Sequence, residues 1–77
     1  MTKQELKNEL SNVKNESFEL YVNEVINLRF WYDSEDNTIN VRNTEHFSTA
    51  DSYLFTEENI DKLVEQTFEN NHELQGA

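Results

Sequence analysis

Glu57, Asp61, Glu65 and Glu69 stand at strict four-residue intervals, with Glu58 beside the first of them. In a helix, residues four apart are surface neighbours and climb about 6 Å per step, so the row sets its carboxylates along one flank. Like charges at that spacing destabilise a helix by roughly 0.2–0.5 kcal/mol per pair, and only Lys62 offers compensation, which leaves the ridge otherwise uncompensated. The chemistry open to such a row is electrostatic: negative charge spaced like backbone phosphates and offered to a protein groove built for nucleic acid. The plainer alternative is a solvated face in an acidic protein.

A second acidic group, Asp33, Glu35 and Asp36, lies in a polar stretch that reads as a hairpin tip, where Asp, Ser and Asn are favoured for local hydrogen bonding. A calcium loop is its sharper rival and fails on spacing. Counted from Asp33, the positions that need Gly and Glu hold Thr38 and Thr44. No metal site and no cofactor are therefore expected. Catalysis has no better footing: the two histidines, His46 and His72, lack ligand or nucleophile spacing, and there is no phosphate-binding Gly loop. Carboxylates become general acids only in a cleft that shifts their pKa, which a chain of 77 residues rarely builds. The expectation is a protein without enzymatic activity.

Aromatic chemistry is the third possibility. If the strands alternate as their pattern suggests, Tyr21, Arg29, Trp31 and Arg42 share one outward face, with Glu19 and Asn40 beside them. Trp, Tyr and Arg are the residues enriched in binding hot spots. Trp31 and Tyr21 are candidate partner contacts there, unless the first helix, the long connection or a second copy of the chain covers the face. A one-residue register slip would swap the two faces.

The elements that must position these residues follow from periodicity. Thr2 and Glu5 form a capping box ahead of Leu6, Leu10 and Val13, which predicts a helix from about Lys3 to Val13. Phe18, Leu20 and Val22 alternate as a strand, and Asn23-Glu24 reads as a turn. Ile26, Leu28, Phe30 and Tyr32 then alternate as a second strand, and Ile39 and Val41 as a third. Residues 43–52 are polar and aperiodic, a long connection anchored by Phe47. Thr56 suits an N-cap, and Ile60, Leu63, Val64, Thr67 and Phe68 form the buried stripe of a helix running to about Asn70. The expected fold is α+β: helix, three-stranded antiparallel meander, helix, with both helices on one face of the sheet. It forms one domain over residues 1–77, with 72–77 a disordered tail.

Sixteen acidic residues against six basic ones give a formal net charge of −10. The first helix nearly balances Lys3, Lys7 and Lys14 against Glu5 and Glu9. The rest carries fourteen acids against Arg29, Arg42 and Lys62. Direct binding to DNA or RNA draws on Lys and Arg meeting phosphates, so this balance argues against it. Nine aromatic residues argue against disorder. The absence of Cys fits a reducing compartment, and no apolar run reaches the length of a membrane span. A soluble cytoplasmic protein is expected.

In element order over residues 3–70 and in charge, the chain resembles small acidic anti-CRISPR proteins of phages, which inhibit Cas9 as DNA mimics at its PAM-reading site. No sequence motif carries the likeness. The Gly-poor, Asn-containing composition is similar to that of phage and mobile-element proteins of low-GC hosts. The resemblance implies a DNA-mimic inhibitor whose partner is a basic nucleic-acid-binding protein, the Cas9–guide RNA complex first, inside a bacterial host. Asp33, Glu35, Asp36, Glu57, Glu58, Asp61, Glu65 and Glu69 would then supply the charge that pairs with PAM-reading arginines. The alternative is a non-catalytic interaction module, such as an antitoxin, an adaptor or a homodimer, that binds through the Trp31 face.

Overall fold

The structure is a computed structural model that describes residues 1–46 and 49–74. Helix α1 (Lys3–Ser11) is followed by strands β1 (Phe18–Asn23), β2 (Ile26–Asp33), β3 (Thr38–Asn43) and β4 (Asp51–Leu54). Helix α2 (Glu57–Asn70) and a single 3-10 turn, His72–Leu74, complete the order. The strands form one antiparallel sheet in the order β1-β2-β3-β4. The fold is therefore α+β, with four strands where the pattern predicts three.

The additional strand, β4, lies inside and just beyond the expected long connection. Phe47, the expected anchor, falls outside the described residues, as do positions 75–77 of the expected tail; residues 72–74 of that tail form the 3-10 turn. Helix α1 ends at Ser11, two residues earlier than the spacing suggests, where the Asn12 N–H turns back to the carbonyls of Glu9 and Leu10. Val13 remains buried in the turn that follows. The β1–β2 turn is Glu24-Val25, with Asn23 Oδ1 accepting from Val25 N–H at 2.9 Å.

Both N-caps form. Thr2 Oγ1 accepts from Glu5 N–H, and Glu5 Oε1 accepts from Thr2 N–H, which closes the box. Thr56 Oγ1 accepts from Asn59 N–H at the start of α2. The two helices lie on the same face of the sheet. Leu6, Leu10 and Val13 meet Ile60, Leu63, Val64 and Phe68 over Leu20, Phe30 and Ile39. Burying each such side chain stabilises the fold by roughly 1.5–3 kcal/mol relative to exposure, and Phe30 at the sheet centre is fully enclosed. Polar groups in this layer are satisfied locally: Thr67 Oγ1 donates to the Leu63 carbonyl and Asn71 Nδ2 to that of Thr67.

The pairing register fixes the other face. Arg29 sits between Glu19 and Arg42, Trp31 opposite Asn40, which in turn pairs with Ser52, and Tyr21 opposite Asn27. Because Phe30 and Ile39 point into the core, these residues point away from the helices. Among the described residues, no helix is long and apolar enough to cross a membrane.

Candidate functional site

The α2 row behaves differently from its expectation. Helices α1 and α2 run antiparallel, which brings lysines four apart on α1 against carboxylates four apart on α2. Lys3 Nζ lies 2.9 Å from Glu65 Oε2. Lys7 Nζ lies 2.9 Å from Asp61 and 3.2 Å from Glu57. Lys62 pairs with Glu58 within α2 at 3.3 Å. The ridge that looks uncompensated within its own helix is thus compensated from the neighbouring one. Glu69 alone of the row makes no ion pair among the described residues. The two carboxylates beside Lys7, Asp61 first and then Glu57, raise its pKa above the ordinary lysine value. Thr2 lowers that of Glu5 through its backbone N–H, with its hydroxyl adding to the effect.

At the hairpin between β2 and β3, Asp33 Oδ1 accepts from Glu35 N–H at 2.9 Å, so this carboxylate is engaged in shaping the turn. Asn37 closes it with φ +55°, a left-handed conformation that Asn tolerates, while its side chain accepts from the Tyr32 hydroxyl at 2.7 Å. Its carbonyl accepts from Phe55 N–H at 2.9 Å. That last bond ties the tip to the chain entering α2, so Glu35 and Asp36 share one end of the molecule with Glu57 and Glu58. Lys14 is also at this end, its Nζ 4.8 Å from the Phe55 ring centroid and 5.2 Å from that of Tyr32. The two acidic groups that are separate in sequence are linked here through the one backbone hydrogen bond from Phe55 to Asn37.

The outer sheet face carries Tyr21, Arg29, Trp31 and Arg42 together. Tyr21 is 67% exposed and Leu54 58%, while Trp31 is half-buried. Asn40, cross-strand from Trp31, is buried and bonded to Thr38 and Ser52. Arg29 and Arg42 are direct cross-strand neighbours, an arrangement that places like charges opposite each other and destabilises the pair. Among the described residues neither makes an ion pair, although the chain carries sixteen acids. Glu19, in the same row, accepts instead from Asn27 Nδ2 at 3.3 Å. Arg29, Trp31 and Arg42 line a shallow cleft of about 260 Å³.

A larger cleft of about 510 Å³ opens between the sheet and α2, bordered by Leu28, Val41, Leu63 and Thr67; its titratable lining is Arg42, Asp51 and Tyr53. Among the described residues, no three His, Cys, Asp or Glu side chains cluster closely enough to hold a metal ion.

The sequence signals that point to Trp31 and Tyr21 also carry the two arginines. Their cross-strand adjacency depends on the β2–β3 register, so their significance emerges only with the pairing. The lysines of α1 are legible as a four-residue repeat, and their match to the α2 row needs the antiparallel packing. Compared with protein-family models, curated proteins and solved structures, the chain matches none. The likeness to anti-CRISPR proteins consequently stands on element order and charge alone.

Proposed function

We propose that this chain is a non-catalytic protein-interaction module that docks a partner on the outer face of its sheet. One observation carries the reading: Arg29 and Arg42, which with Lys14 are the cations that make no ion pair among the described residues, sit side by side on a sheet face that neither helix covers, next to Trp31. Keeping two like charges opposed costs stability, and Glu19, cross-strand from Arg29 on its other side, accepts from Asn27 rather than forming an ion pair with it. The same face offers Tyr21 and Leu54 as apolar contact area. The test compares Trp31→Ala with the paired reversal Glu35→Lys and Asp36→Lys in binding to a purified partner. Loss with Trp31→Ala and retention with the reversals is the expected result. The opposite pattern overturns it.

A second reading, the acidic DNA mimic directed at the PAM site of Cas9, draws support from the exposed Glu35 and Asp36 of a hairpin that is hydrogen-bonded through Asn37 to the chain entering α2. The α2 row lends it less, because Glu57, Asp61 and Glu65 are engaged by lysines of α1 and Glu58 by Lys62. This reading expects inhibition of Cas9 DNA binding that duplex competes away and that the Glu35 and Asp36 reversals abolish.

A further inference from the structure

We propose that Arg29 and Arg42, cross-strand neighbours beside Trp31, form a clamp for a pair of carboxylates on an acidic segment of a partner protein. The inference rests on the outer face being the docking surface and adds the chemistry of its occupant. Arg presents five N–H donors in a planar fork that matches carboxylate geometry, and two forks on adjacent strands can each take one carboxylate. Every other cation of the chain already has a counterpart: Lys3, Lys7 and Lys62 in ion pairs, Lys14 over two aromatic rings. The two arginines thus form a local positive spot in a protein of net charge −10, and a partner complementary to that spot is negative.

The surroundings favour a protein segment over a nucleic acid. Glu19 continues the arginine row at one side and Asp33 lies two residues beyond Trp31 along β2, so a phosphate backbone crossing the face meets carboxylates on leaving the cleft. A short segment needs only two charges. Trp31 in the cleft wall, with Tyr21 and Leu54 exposed beyond it, offers contact to apolar residues flanking those charges.

Trp31 is the only tryptophan of the chain, so its emission reports directly on the cleft. The experiment titrates the protein with four probes: a short capped peptide bearing adjacent glutamates between leucines, the same peptide with glutamines, inorganic phosphate, and a short DNA duplex. Backbone amide shifts are mapped in parallel. The expected result is a saturable emission change with the glutamate peptide, centred on β2 and β3. Binding weakens about tenfold or more in the double variant Arg29→Gln, Arg42→Gln and is only partly kept in Arg29→Lys, Arg42→Lys. Both arginines are exposed and repel each other, so these variants keep the fold, which far-ultraviolet dichroism verifies. Equal binding of the glutamine peptide, or full binding by the Gln variant, overturns the clamp while leaving the outer face as a docking surface. Preference for phosphate or duplex overturns it in favour of phosphate recognition. Absence of any response overturns the clamp, and the comparison of Trp31→Ala with the acidic reversals then judges the face separately.

Discussion

At the residue scale, Lys7 is the side chain that changes the meaning of the acidic row. It answers both Asp61 and Glu57, so its removal exposes two carboxylates one turn apart to each other. Lys7→Gln is expected to lower the urea midpoint, with a smaller loss at about 1 M salt, where screening shortens electrostatic reach to about 3 Å. Glu69→Gln, at the row's unpaired position, is expected to leave the midpoint unchanged or raise it. The linkage has a definite sign. A lysine whose pKa is raised in the folded state contributes stability that is fully present below its unfolded value, about 10.4, and disappears as pH climbs through the folded value. Glu5 acts at the other end: its lowered pKa adds stability present above about 4.3 and lost as pH falls through the folded value.

At the element scale, the helix starts were open to reading because capping is a local event. Thr2 with Glu5, and Thr56 with Glu57-Glu58, carry their own hydrogen-bond logic within four residues. Replacing Thr56 by Ala is expected to cost about 1 kcal/mol, with Thr56→Ser retaining most of it, as denaturant titration measures. The first three strands were legible for a related reason: alternation over Ile26–Tyr32 is long enough to declare a period. β4 offers only Asp51, Ser52, Tyr53 and Leu54, of which Tyr53 alone joins the core. Four residues at a sheet edge give no period, and Asp is among the residues depleted in strands. What makes them a strand is β3, whose Ile39 and Val41 supply the pairing register. The same limit applies to the candidate site. Residue types on the outer face followed from alternation, whereas the opposition of Arg29 to Arg42 and of Lys7 to Asp61 belongs to tertiary pairing.

At the scale of the whole molecule, charge that looks segregated along the chain is partly rejoined in space. The lysines of α1 and the carboxylates of α2 form one seam, Lys62 pairs within α2, and the other cations are divided between the Phe55–Tyr32 edge and the outer sheet face. The strand order β1-β2-β3-β4 has a consequence in time. Each strand pairs with the next one in the chain, so the sheet is built from short loop closures, while α1 meets α2 across separations of fifty residues or more. The meander is expected to zip early and the helix seam to latch late. Chevron kinetics test this: Ile39→Val should mainly slow folding, and Lys7→Gln should mainly quicken unfolding. On that schedule the two arginines are brought opposite each other before the first helix has docked, and the face that would greet a partner is finished ahead of the clasp that locks the fold.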